Sequence, residues 1–187
     1  MGTPPMIPPH EMPQPLGIFA GEQFERAGQY LDAFERLAGT PEPLPLYPMY
    51  FLLTQAIELF LKSFLAARGM SKKELRGGVR HDLHGLLALC NARQFPVVAD
   101  LAECVGALQE MNKDYDFRYV TGYTLRVPPP AYCLETGKKL ESALAKIMAH
   151  AHIEAMVHFA AETRHLVNRR STGTPYRHPK GALTHIR

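Results

Sequence analysis

The sequence predicts an all-α protein, an antiparallel up-and-down bundle of four to five helices. Three observations carry that expectation. Apolar residues recur at intervals of three and four through every long segment, the spacing of one helix face. No segment shows the strict alternation of a half-buried strand. The helical segments are joined mostly by short proline- or glycine-marked connections, which place sequence neighbours side by side and running in opposite directions.

The elements follow in order. Residues 1–17 read as a disordered arm, because MGTPPMIPPHEMPQPL holds six prolines and little to bury. The bundle is expected over 18–167. Its first helix runs from Ile18 to Ala38, with Phe24, Ala27, Leu31, Phe34 and Leu37 on one face and Gly39 as the stop. Pro41, Pro43, Pro45 and Pro48 stiffen the connector. The second helix, Pro48 to Arg68, is apolar almost all round and so belongs at the centre, and Gly69 ends it. Ser71 to Arg80 is a basic loop or a short helical turn. Asp82 is a good N-cap for a third helix, Leu83 to Arg93. A fourth is predicted from Pro96 to Tyr115, with Val97, Val98, Leu101, Cys104, Val105, Leu108 and Met111 facing inward. Asp116 to Pro130 is a long irregular connection, the kind of segment that often carries function. The last helix, Leu134 to Val167, carries Leu140, Leu144, Ile147, Ala151, Ala155 and Phe159 along one side. Residues 168–187 form a basic, mobile tail, since no acid follows Glu162.

Composition bounds the function. A chain of 187 residues, 46% hydrophobic and 21% charged, suits one globular domain with tails. A net charge of +3 does not by itself announce nucleic-acid binding. Cys90, Cys104 and Cys133 lack ligand-pair spacing, so they read as buried free thiols of a reducing compartment rather than as a zinc site. Gln55, Glu58 and Lys62 interrupt the most apolar helix, which argues against a membrane span. No secretory signal pattern opens the sequence, and a cytoplasmic protein without cofactor or metal is expected.

The second helix carries a polar stripe in Ala56-Ile57-Glu58-Leu59-Phe60-Leu61-Lys62, with Gln55 before it. Downstream come Arg68-Gly69, then His81-Asp82-Leu83 opening the next helix, then Arg118-Tyr119 after the following one. In this order and spacing the chain resembles the HEPN domains, small helical bundles of bacteria and archaea, over roughly residues 20 to 165. The glutamate-x3-lysine pair of that family corresponds to Glu58 and Lys62. The resemblance implies a homodimer, association with RNA or nucleotide, or a role beside a nucleotidyltransferase. Many members are metal-independent ribonucleases that use arginine-x4-6-histidine. Here Arg118 is followed by Tyr119-Val120-Thr121-Gly122-Tyr123, with threonine where the histidine would stand.

Individual residues were weighed for chemistry. Glu58 and Lys62, one turn apart, form a structural ion pair or the floor of a polar pocket with Gln55, Tyr119 and Tyr123. Arg76 and His81 also satisfy arginine-x4-histidine, though between the second and third helices. A base and a cation are what metal-free RNA cleavage needs, so Arg118, His81 and Arg76 are the candidate catalytic residues. The simpler reading of His81 is a polar residue flanking a helix cap. Lys72, Lys73, Arg76, Arg80 and Arg118 are candidate phosphate contacts, or else solvated charge. Tyr115, Phe117, Tyr119 and Tyr123 either stack bases or pack the irregular connection, and packing is favoured. His150, Glu154 and His158 share one helix face but converge poorly on a metal, and His158 is expected near the apolar stripe. The sequence therefore reads as a dimeric, RNA- or nucleotide-associated interaction protein without the standard nuclease motif. The alternatives are a toxin- or defence-type endoribonuclease with a divergent site, and a nucleotidyltransferase partner.

Overall fold

The computed structural model describes residues 14–77, 81–112, 117 and 126–170, the last six of them by backbone alone. Among the described residues the protein is all-helical. Its elements are α1 (Leu16–Ala38), α2 (Leu46–Ala67), α3 (Lys72–Arg76), α4 (Leu83–Asn91), α5 (Leu101–Met111) and α6 (Pro130–Arg170).

The apolar helix α2 is the centre of the core. Met49, Tyr50, Leu53, Ile57, Phe60, Leu61, Phe64 and Leu65 are all fully buried. It is long and apolar enough to cross a membrane, but most of it is covered by the rest of the protein, as a core helix should be. Two buried hydroxyls on it are satisfied within the helix: Thr54 Oγ1 donates to the Tyr50 carbonyl at 2.8 Å and Ser63 Oγ to the Phe60 carbonyl at 2.7 Å. Gly69 ends α2 with φ +89°, a conformation other residues adopt at a cost. Its N–H meets the Ala66 carbonyl and the Met70 N–H meets the Leu65 carbonyl, each at 3.0 Å, closing the helix end as a Schellman motif.

Helix α1 packs on α2 and α6 through Ala20, Ala27, Leu31 and Phe34. Small residues let α1 and α6 approach. A Cβ on Gly17 would lie 2.4 Å from the Ala151 carbonyl oxygen, and one on Gly21 would lie 2.2 Å from His152 Nδ1. Gly28 faces Glu141, and Gly137 faces Leu31. Residues early in α1 thus meet residues late in α6, and later ones meet earlier ones.

Three expectations need correction. The fourth long helix starts at Leu101, not Pro96. Asp100 holds a left-handed φ of 66°, which breaks any helix running through it. Residues 95–98 have no regular secondary structure, and Val97, expected inside, is fully exposed. The final helix begins four residues early, at Pro130, where a missing N–H leaves no bond unmade. His158 is exposed on α6 rather than set in its apolar side. The three cysteines, by contrast, are buried free thiols as expected. Cys90 Sγ contacts the Leu61 carbonyl, and the thiols of Cys104 in α5 and Cys133 in α6 are neighbours.

The connection between α5 and α6 is tied to the core at both ends. Asn112 Oδ1 accepts from the Phe117 N–H at 3.3 Å, and the Phe117 ring stacks on Tyr50 with centroids 5.9 Å apart. The Tyr50 hydroxyl donates to the Pro128 carbonyl, and burial pushes its pKa well above the ordinary phenol value. Replacing Tyr50 with Phe keeps the ring but leaves that carbonyl without its donor. We expect a loss of about 1–2 kcal/mol, or roughly 2–7 °C in the thermal midpoint, read by circular dichroism.

Candidate polar site on the central helix

The polar stripe of α2 faces the start of α4. Glu58 is only 3% exposed, in a helix otherwise packed with leucine and phenylalanine. A carboxylate in that position needs a partner for each oxygen. Oε1 takes the Lys62 ammonium at 2.6 Å, one helical turn on, the order of charges that α-helical geometry favours. Oε2 takes His81 Nδ1 at 2.9 Å, from a residue 23 positions away. With Glu58 ionised against Lys62, its oxygen accepts and His81 carries the hydrogen on Nδ1. The Nε2 nitrogen is the one not engaged by Glu58, on a side chain 43% exposed.

His81 stands on a fixed mount. The next residue, Asp82, caps α4 by accepting from the Gly85 N–H at 3.0 Å. The Leu83 N–H is taken by Gln109 Oε1 at 2.9 Å, tying the same helix start to α5. Two otherwise unpaired amide donors at the helix N-terminus are answered in this way. His81 is therefore pinned from behind by the cap and from below by Glu58, while one edge of its ring reaches solvent.

The neighbouring basic segment is more structured than a loop. Ser71 Oγ accepts from the Glu74 N–H at 3.2 Å and Glu74 Oε2 accepts from the Ser71 N–H at 2.8 Å, a complete capping box for α3. The Ser71 hydrogen bonds hold the Glu74 carboxyl below its usual pKa, so an acid sits among the bases. Lys72 is turned onto α1: its ammonium donates to Gln14 Oε1 at 2.8 Å and lies 4.6 Å from the centre of the Phe19 ring. Lys73 and Arg76 are exposed. Gln55 is half-buried one turn before Glu58 on the same stripe. Arg80, Tyr115, Arg118, Tyr119 and Tyr123 lie outside the described residues. Of the four aromatics weighed for base stacking, Phe117 is described, and it packs against Tyr50.

No group of three or more histidine, cysteine or acidic side chains that could hold a metal ion occurs among the described residues. His150 and Glu154 stand 3.8 Å apart on the exposed side of α6. Compared with protein-family models, curated proteins and solved structures, the chain finds no match.

Sequence reasoning paired Glu58 with Lys62 but missed the contact with His81. The available signal was stoichiometric: one ammonium serves one oxygen well, and a buried carboxylate has two. Removing Glu58 would empty a buried position and leave the part-buried Lys62 ammonium without its carboxylate, whereas removing His81 opens one Glu58 oxygen to water. Glu58→Ala should cost about 3 kcal/mol and His81→Ala about 1 kcal/mol or less, both read by urea unfolding. Equal small losses would contradict the burial of this centre.

Proposed function

We propose that the chain is a HEPN-like, cytoplasmic, dimeric protein, built as an antiparallel helical bundle, that associates with RNA or nucleotide and lacks the standard nuclease motif. The observation that supports this reading is the meeting of Glu58, Lys62 and His81. These residues carry the resemblance in sequence, and here they form one polar centre under an exposed imidazole edge. When its imidazole is protonated, His81 offers a phosphate an Nε2–H donor on a ring held in place, with exposed Lys73 and Arg76 on the adjoining helix. A protein that works by positioning an anionic ligand needs no more than this.

One observation favours a second reading, an endoribonuclease with a divergent site. A carboxylate that fixes the tautomer of a histidine, and leaves Nε2 outward, is the arrangement of a general base. In that reaction Nε2 takes the proton of an RNA 2′-hydroxyl. The freed oxygen attacks phosphorus to give a 2′,3′-cyclic phosphate, and the departing 5′-oxygen receives a proton. Arg76 or Arg118 would balance charge on the phosphate.

The test is fluorescence anisotropy and gel analysis of labelled single-stranded RNA with the wild type, His81→Ala and Arg118→Ala. Binding without cleavage is expected, weakened roughly twentyfold by a fourfold rise in salt if about three phosphates are contacted. His81→Ala should weaken it further. Cleavage lost in His81→Ala would replace the first reading with the second. Neither binding nor cleavage at low salt would remove both.

A further inference from the structure

Helices α5 and α6 begin side by side, and each places a cysteine at the end of its first turn. The Cys104 N–H meets the Asp100 carbonyl at 2.9 Å and the Cys133 N–H meets the Pro129 carbonyl at 3.1 Å, the hydrogen bonds that open the two helices. The helix starts are tied together without the sulfurs. The Tyr132 hydroxyl donates to the Asp100 carbonyl at 3.3 Å, and the Lys139 ammonium lies 3.1 Å from the Asp100 carboxylate. Between these ties both thiols are free, wholly buried and neighbours. Cys90 differs: its sulfur lies 3.5 Å from the Leu61 carbonyl, and burial pushes its thiol up to about 12.

We propose that Cys104 and Cys133 are a thiol-oxidation site, which a peroxide closes into a disulfide between α5 and α6. Cys104 is the attacking sulfur. The Cys133 thiol beside it holds Cys104 below the ordinary thiol pKa against the effect of burial, while the same contact and burial push Cys133 up. The first turn of α5 adds positive potential at that sulfur. Having lost its proton, Cys104 attacks one oxygen of hydrogen peroxide. The O–O bond breaks, and hydroxide leaves and takes up the proton that Cys104 released. The Cys133 sulfur then attacks the sulfenic sulfur of Cys104, whose S–OH bond breaks, and the hydroxyl departs with the Cys133 proton as water. Two thiols are oxidised to one disulfide, and one peroxide is reduced to two waters. Because both sulfurs are withdrawn from solvent, the reaction waits on local opening of the structure, and a peroxide is small enough to enter. The new bond closes the chain between Cys104 and Cys133 into a loop, so the connection that carries Arg118, Tyr119 and Tyr123 leaves and returns to one covalent point.

The test is independent of the Glu58 centre and uses no RNA. The full chain is treated with millimolar hydrogen peroxide at neutral pH, unfolded in an alkylating reagent, digested and weighed by mass spectrometry. The product should lose two hydrogens, keep Cys90 as its one alkylated thiol and yield a peptide pair joined from Cys104 to Cys133. Its thermal midpoint should rise by about 5–10 °C and return after dithiothreitol. In Cys133→Ser, a dimedone reagent should trap the sulfenic acid on Cys104, whereas Cys104→Ser should leave Cys133 unlabelled. Circular dichroism checks that both variants remain helical, and the wild-type peptide map stands without them. Three alkylated thiols after peroxide, a bond that includes Cys90, or bonds only between separate chains would overturn the proposal. Labelling of Cys133 in preference to Cys104 would overturn the order of attack.

Discussion

The carboxylate of Glu58 is the constraint around which this structure is organised. It sits on a helix whose neighbouring positions are Ile57, Phe60 and Leu61, and it is almost wholly withdrawn from water. An isolated buried charge there would cost more than the fold has to spare. Lys62 answers one oxygen from the same helix, which is a local solution available as soon as α2 forms. His81 answers the other only when α4 has docked. The polar centre therefore does more than balance charge. It registers the start of α4 against the middle of α2, and it gives a hydrogen-bonded histidine a single orientation at the surface. Hydrophobic packing alone would tolerate a helix slipped by a turn, but a buried carboxylate with two defined partners does not.

A comparable argument applies to Tyr50, eight residues earlier on the same helix. Its ring lies between Phe34 of α1 and Phe117 of the long connection, and its hydroxyl reaches the Pro128 carbonyl. One residue thus links α1, α2 and the approach to α6. The connection that leaves α5 is held near its beginning at Phe117 and near its end at Pro128, by the same helix that holds Glu58. Of the polar groups that α2 buries, Thr54 and Ser63 are satisfied within the helix, whereas Tyr50 and Glu58 also fix segments that are distant in sequence. Their cost is met by contacts no local element could supply.

How much of this the sequence disclosed depends on the range of the interaction. Periodicity marked α1, α2 and α4 to within a few residues at most ends, because each buries a continuous face and ends on a glycine or starts on a capping acid. Asp82 before Leu83 announced its cap, whereas the Ser71–Glu74 capping box stands in a segment that the sequence predicts only as a basic loop or short helical turn. Pro96 to Asp100 misled, because Val97 and Val98 fit the apolar period while the break is a left-handed backbone at an aspartate, which composition does not reveal. Lys72 misled in another way. Among lysines and arginines it reads as solvated charge, yet Phe19 and Gln14 from α1 claim it. The Glu58–Lys62 pair was legible because its members are one turn apart. The Glu58–His81 contact was not, since 23 residues and a separate helix lie between them.

The two halves of α6 are unlike. A helix that served only the core of its own chain would need apolar residues on one side and charge on the other. The first half of α6 meets that description, with Leu140 and Leu144 buried and Lys138 and Lys139 paired to Glu35 and Asp100 of neighbouring elements. The second half does not. Beyond Met148 the inward residues are only partly covered, where the start of α1 meets α6 at Ala151 and Ala155 through Gly17, and the outward ones include Ile153, Met156 and Val157. Leaving three such side chains in water forfeits several kcal/mol of burial, about 1.5–3 kcal/mol for each if fully covered.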